Sequence, residues 1–303
     1  MIISCNKCHT RYKVKPELLK KNILKVRCSR CQHVFIIETD KKSPIDLDKN
    51  DIVSHAQIIT ICNQKGGVAK TSTCINLGAA LSEQNKKVLL VDFDVLANLT
   101  LSLGYEKDVS FYQLVQAGQK NIDSVIKQYS KNLWLLPSNS DMNLFPKYYM
   151  QKNGFEFLLK NQLKKISENY DYILIDTPPS MEFFTLNALM AADSVIIPTQ
   201  CEYFSMNGVK EVGKIINILE DKYKIKLPYH ILISLFNPKS TAAKVILTQL
   251  NKQFSGKILK TIVEVDNKVQ EAQIMRKPVI NYAGNKSRAG QQYRALAKEI
   301  VVF

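Results

Sequence analysis

The sequence predicts an α/β protein: a doubly wound, mostly parallel sheet preceded by a small cysteine-rich module. Three observations lead there. From Gln57 onward, short apolar β-rich runs alternate with helical patterns. A loop containing glycine and lysine, "NQKGGVAKTS", joins the first of those strands to the first of those helices. Ahead of both stand two Cys-x2-Cys pairs, Cys5/Cys8 and Cys28/Cys31.

The chain has 303 residues, 46% hydrophobic and 23% charged, enough for one large domain with a sizeable core and one small one. Nothing resembles a signal peptide and no uncharged apolar run reaches the length of a membrane span. Seven cysteines in that setting suit a reducing cytoplasm, where paired cysteines more often hold metal than form disulfides. The net charge of +15 points to a polyanionic partner. Residues 1–37 carry nine Lys/Arg against Glu17 alone, a net +8 and more than half of the excess.

The first element is residues 1–37. Nineteen residues separate Cys8 from Cys28, a spacing at which four thiolates (Cys5, Cys8, Cys28, Cys31) can close a tetrahedron around one zinc ion. So short a segment cannot fold on its apolar residues, so the metal would supply the folding energy. "HTRYKV" and "QHVFII" read as the strands of a zinc ribbon, with His9 and His33 as bystanders. Unliganded thiols and a single bound iron are the alternatives. With zinc bound the module keeps a positive charge, suited to nucleic acid, although such ribbons also bind proteins. Residues 38–56, "ETDKKSPIDLDKNDIVSHA", lack apolar periodicity and read as a flexible linker.

Within residues 57–303, "QIITICN", "KVLLVDFD", "NLWLLP", "DYILID", "SVIIPT" and "YHILISLF" are strand candidates of the continuous apolar kind. Thr71–Glu83, Gly154–Asn169, Met206–Asp221 and Thr241–Phe254 are helix candidates. Ligands of such folds bind at the carboxyl ends of the strands. The loop there is a deviant Walker A: Gln64 and Ala69 stand at its glycine positions, while Lys70 and Thr71 are as expected. Backbone N–H groups from Gly66 through Gly67, Val68 and Ala69 to Thr71 would ring a β-phosphate at the helix start, with Ser72 next. Lys70 would meet the β- and γ-phosphates and Thr71 a magnesium ion.

"NQKGGVAKTSTCINLGAAL", "KVLLVDFD", "YDYILIDTPPSMEFFTLNALMAADSVIIPTQCEYFSMNGV" and "RKPVINY…SRAGQQYRALAKEI" occur in one order. Together they resemble the ParA/Soj branch of the ParA/MinD ATPases, from about Gln57 to the C-terminus. The resemblance implies a P-loop NTPase that hydrolyses ATP slowly, as a homodimer clasping two nucleotides. Lys65 would reach the partner's phosphates, Asp94 would position water, Asp176 would act on Mg²⁺ and "TPPS" would sense the γ-phosphate. Asp92, on the same side of its strand as Asp94, would support the magnesium shell. Without an N-K-x-D motif ATP is favoured over GTP, and Asn237 and Pro238 are candidate adenine contacts. The resemblance further implies nonspecific DNA binding through Lys268, Arg276, Lys286, Arg288 and Arg294. It also implies stimulation by a ParB-like or cargo-adaptor protein, action in chromosome or plasmid segregation or cargo positioning, and a cytoplasmic, nucleoid-associated location without membrane binding.

Three departures stand out. Ala69 replaces a glycine, Val95-Leu96 replace a proline-glutamine pair, and Glu264-Val265 replace a proline-arginine pair. They leave room for a second reading, a nucleotide-binding regulatory or scaffolding adaptor with weak or no hydrolysis. An iron–sulfur scaffold ATPase is a third, against which Cys62, Cys74 and Cys201 form no further Cys-x2-Cys. A membrane-positioning relative would need a C-terminal amphipathic membrane helix. Here "QQYRALAKEIVVF" reads as the domain's closing helix, with Tyr293, Leu296, Ala297 and Ile300 at helical spacing.

Overall fold

The computed structural model describes residues 2–4, 8, 10–13, 23–38, 55–106, 109–116 and 122–301. The chain divides into two compact units, Met1–Ile52 and Val53–Phe303.

In the first unit β1 (Ile2–Ser4) pairs antiparallel with β2 (Arg11–Lys13), and β3 (Ile23–Arg27) with β4 (Val34–Glu38). The knuckle between β3 and β4 is a tight turn: the Cys28 N–H donates to the His33 carbonyl at 2.8 Å and the Gln32 N–H to the Cys28 carbonyl at 2.9 Å. The expected linker lies outside the described residues from 39 to 54. Its last residue belongs to the second unit, because Ala56 is buried and its N–H donates to the Ser167 carbonyl at 3.0 Å.

The second unit runs β5 (Gln57–Ile61), α1 (Lys70–Glu83), β6 (Val88–Asp92), α2 (Asn98–Ser102), α3 (Phe111–Gln116), β7 (Lys127–Ser130) and β8 (Leu133–Leu136). It continues α4 (Leu144–Tyr149), α5 (Leu158–Leu163), β9 (Tyr172–Asp176), α6 (Phe183–Ala191), β10 (Ser194–Thr199) and α7 (Ser205–Tyr223). It closes with β11 (Tyr229–Phe236), α8 (Thr241–Gln253), β12 (Ile258–Glu264), α9 (Asn267–Ile274), α10 (Val279–Ala283) and α11 (Arg288–Ile300). One sheet of eight strands forms, in the order β12-β11-β10-β5-β9-β6-β8-β7, parallel throughout except for β7 against β8.

Neighbouring residues of each central strand point to opposite faces, and both faces are covered, which is why these strands read as unbroken apolar runs. Ile59, Leu90 and Leu174 pack with α1, α10 and α11, while Ile58, Leu89 and Ile173 pack with α3 to α6. The apolar stripe of α11 (Tyr293, Leu296, Ala297, Ile300) is buried in the first of these layers. Among the described residues no helix is long and apolar enough to cross a membrane.

The expected helix over Gly154–Asn169 is broken into a 3-10 turn at Phe155–Phe157, the short α5 and a second 3-10 turn at Ser167–Asn169. Tertiary contacts override the local pattern there. Phe155 stacks on Phe183 with centroids 5.5 Å apart, and the buried Glu156 side chain accepts from the Tyr223 hydroxyl. Strands β7 and β12 complete the two edges of the sheet.

Candidate functional site

The parallel sheet sets β5, β6 and β9 side by side, so that Asp92 at the end of β6 lies opposite Asp176 at the end of β9. The loop after β5 leads into α1 across the same end. It is held by side chains from distant strands. Asn63 Nδ2 donates to the Pro198 carbonyl at 2.8 Å while its Oδ1 accepts from the Lys65 N–H at 3.0 Å. The Ser234 hydroxyl donates to the Val68 carbonyl at 2.9 Å, and Gln200 Nε2 to the Gly67 carbonyl at 3.2 Å. Gly67 at φ 73° and Ala69 at φ 65° both adopt the left-handed conformation. Position 69 therefore needs positive φ, and the alanine methyl sits there at a conformational cost of about 1 kcal/mol.

A cavity of about 440 Å³ opens over this loop, lined among others by Gly66, Gly67, Lys70, Thr71, Ser72 and Asp94. Lys70 is buried, its Nζ donating to the Lys65 carbonyl at 3.1 Å. Burial lowers its pKa, opposed by Asp176 and Asp94. The Thr71 hydroxyl donates to Asp176 Oδ2 at 2.7 Å, whereas Asp176 Oδ1 is buried without a hydrogen-bond partner. Burial, followed by the nearby charge of Asp92, holds the Asp176 carboxyl well above the usual carboxylate range. An orphaned carboxylate oxygen beside a threonine hydroxyl fits a hard divalent cation with oxygen ligands, while the nearby Lys70 ammonium suits phosphate oxygens and not the metal. Magnesium held through Thr71 and Asp176 would neutralise phosphate oxygens.

Asp94 lines the cavity, and its Oδ1 accepts from the Leu96 N–H at 3.0 Å. The Ser138 hydroxyl fixes the Asp94 carbonyl at 2.6 Å. Asp92 is turned elsewhere. Its Oδ2 accepts from the N–H and hydroxyl of Thr100 at 2.8 and 2.6 Å, and its Oδ1 from the Asp94 N–H at 3.3 Å. Burial pushes its pKa up to about 6. Asp92 thus ties α2 to the loop bearing Asp94 and does not line the cavity. Lys65 lies half-buried at the rim, where its Nζ pairs with Glu202 and reaches Gln200 Oε1 at 3.5 Å.

The far wall departs from expectation. Asn237 and Pro238 are exposed and do not line the cavity; Asn237 Oδ1 instead accepts from the Lys239 N–H at 3.0 Å in a local turn. The wall is made by Leu235, in the left-handed conformation at φ 49°, together with Val265, Asn267, Val269, Gln270 and Gln273. These residues carry no loop motif, and the only sequence signal for them is their place at the end of β11 (Leu235) or after β12. Pro179 and Thr177 of "TPPS" line the opposite side, and the Thr177 hydroxyl donates to the Ile61 carbonyl at 2.9 Å.

Of the basic residues expected on the α9–α11 segment, three already have carboxylate partners: Lys268 with Glu271, Arg288 with Glu264, and Arg294 with Glu83. Glu264, half of the departure noted in the sequence, therefore pairs with one of the expected cations, while Val265 stands at the position of the arginine. Arg276 and Lys286 are exposed and have no ion pair among the described residues.

In the first unit the sulfurs of Cys8, Cys28 and Cys31 lie within 4.8 Å of one another, and Cys5 lies outside the described residues. The Cys31 N–H donates to Cys28 Sγ at 3.4 Å, an outer hydrogen bond that orients the sulfur. The hydroxyl of Thr10 holds the Cys8 thiol below its ordinary pKa. Three thiol sulfurs so close together fit a soft, tetrahedral ion such as zinc.

This geometry defines a P-loop nucleotide-binding fold, accompanied by a small cysteine-cluster module. Residues 56–229 match the family model of an AAA domain, and residues 1–36 that of a zinc-ribbon domain. The chain is 35% identical to the sporulation initiation inhibitor protein Soj of Bacillus subtilis, over 80% of this chain and 98% of Soj. It is 34% identical to the chromosome-partitioning ATPase Soj of Treponema pallidum, over 80% of this chain and 96% of that protein. Among solved structures it is similar to cobyrinic acid a,c-diamide synthase from Mycobacterium smegmatis with bound ATP analog and magnesium. The TM-score there is 0.72 at 30% identity, covering 81% of this chain and 94% of that one. The chain belongs to the ParA/Soj family of partitioning ATPases, with a zinc-ribbon domain ahead of the ATPase fold.

Proposed function

We propose that this chain is a dimerising switch ATPase of ParA type that binds Mg·ATP and, in that state, nonspecific DNA. The observation that carries the reading is the complete cradle over α1: a buried Lys70, left-handed Gly67 and Ala69, and Thr71 bonded to an Asp176 whose second oxygen is unpartnered. Asp94 orients the attacking water, and hydrolysis is slow and stimulated by a ParB-like or cargo-adaptor protein. Lys65 exchanges Glu202 for the partner subunit's phosphates, where two triphosphates face one another and need counter-charge. The ribbon at the N-terminus, joined to the ATPase unit through residues 39–54, adds positive charge to each subunit and raises avidity for DNA. Cargo positioning or chromosome and plasmid segregation at the nucleoid is the task such a switch performs.

DNA retention with ATP, with ADP, and after deletion of residues 1–40 tests the reading. Retention should need ATP, and retention indifferent to nucleotide would refute a switch. Sedimentation of Asp94→Ala at saturating Mg·ATP should show a dimer. One observation favours a second reading, a regulatory adaptor that binds nucleotide without turning it over: Leu96, 58% exposed, brings an apolar side chain to the cavity beside Asp94. A wild-type ATPase rate equal to that of Asp94→Ala, with and without DNA, would select it.

A further inference from the structure

We propose that Gln273 is a positioning residue of the nucleotide site. Its amide aims the Ser72 hydroxyl at a phosphate oxygen and makes α9, with the basic residues that follow it, part of the site. The inference rests on the nucleotide-binding reading above. Gln273 Nε2 donates to Ser72 Oγ at 3.1 Å, and both residues line the cavity. A serine hydroxyl has one proton and two lone pairs. With a lone pair committed to Gln273, the proton is directed away from α9. Ser72 is the third residue of α1, so its own N–H is one of the donors that a helix start leaves without an intrahelical acceptor. The first turn of α1 holds no acidic side chain and no side-chain cap, which leaves those donors for an anion.

The link matters because of what α9 is attached to. At its start, Asp266 accepts from the Lys268 N–H at 2.9 Å, the Ser287 hydroxyl at 2.7 Å and the Ala289 N–H at 3.0 Å, joining α9 to α11. Beyond its end, the Val279 N–H donates to Asn76 Oδ1 on α1 at 2.7 Å. Between these anchors, Gln273 is the one α9 side chain that bonds to α1 among the described hydrogen bonds. Arg276 follows within a single turn, in the left-handed conformation at φ 53°, with Lys277 exposed beside it. A phosphate that orders Ser72 therefore orders Gln273, and through it the backbone carrying Arg276. Occupancy of the nucleotide site and the placement of an unpaired cation are coupled.

The experiment uses the full chain with Mg·ADP as probe, combining titration calorimetry with hydrogen exchange of segments 66–76 and 267–277. In the wild type, Mg·ADP should slow exchange in both segments. Gln273→Ala should weaken Mg·ADP about fivefold, the loss of one net hydrogen bond. It should keep the protection of 66–76 and lose that of 274–277, the turn beyond the α9 residues that line the cavity themselves. Gln273→Glu, which cannot donate to Ser72 and adds a negative charge, should weaken binding further, with the nucleotide-free melting temperature unchanged in both variants. Equal affinity in all three proteins, or nucleotide-dependent protection of 274–277 in Gln273→Ala, would overturn the proposal. Absence of protection at 66–76 in the wild type would remove the nucleotide-site reading itself.

Discussion

Replacing Ala69, the residue that caps the start of α1, by glycine should stabilise the second unit. Ala69 stands at φ 65° and ψ 33°, immediately before α1, with no side-chain cap bond. The left-handed conformation costs a residue with a Cβ about 1–2 kcal/mol relative to glycine. Glycine gains freedom in the unfolded chain, which offsets about 0.4–1 kcal/mol of that. The net gain is about 0.5–1 kcal/mol. For a domain of this size that corresponds to a rise in melting temperature of about 1–4 °C. The Thr73 N–H donates to the Ala69 carbonyl at 2.8 Å, a backbone bond that the substitution leaves intact. Calorimetry on the full, metal-loaded chain, with and without Mg·ADP, measures the shift. Ala69→Val, with a β-branched side chain in the same conformation, should lower the melting temperature. A lower melting temperature for Ala69→Gly would show that position 69 is not left-handed and would refute the account of this loop.

The raised pKa of Asp176 makes magnesium binding pH-dependent. Without metal, a carboxyl whose folded pKa exceeds its unfolded value favours the fold at low pH, and that contribution fades as pH rises. The metal needs the ionised form, so magnesium-dependent stabilisation by ADP should grow as pH rises, and Asp176→Asn should flatten the profile. Elemental analysis of aerobically purified, colourless protein should find zinc near one per chain. Cys28→Ser, at a buried ligand position, should release it, whereas iron in its place would count against a zinc ribbon. Arg276→Ala and Lys286→Ala should each weaken DNA binding and reduce its salt slope by about 1. Arg294→Ala, which breaks an existing pair with Glu83, should change DNA binding less and melting temperature more, and the reverse ranking in a salt titration would contradict this assignment.

Much of the fold was legible because the central strands are covered on both faces and so show as unbroken apolar runs, β5, β6, β9 and β10 most plainly. The edges were not. β7 is largely exposed and β12 mixes Lys260 and Thr261 into its apolar residues, so neither shows a clean period. The helical pattern over 154–169 was misleading, since Phe155 and Glu156 answer to Phe183 and Tyr223 rather than to their neighbours in sequence. At the site, Lys70 and Thr71 are legible from the loop pattern ahead of α1, and Asp94 and Asp176 from their places at strand ends. The role of Asp92 could not, because its hydrogen bonds go to Thr100 on a separate helix.

The order of residues alone determined the phosphate loop, the strand-end aspartates and the metal-ligand spacing. Each is a local device, in which backbone direction and a few neighbouring side chains supply the chemistry. Only the tertiary structure decided which residues face that loop from across the cavity, and which cations already have a carboxylate beside them. Gln273 meets Ser72, and Arg294 meets Glu83, across some two hundred residues of chain. At that separation no local periodicity constrains the pairing; the packing of α9 and α11 against α1 sets it.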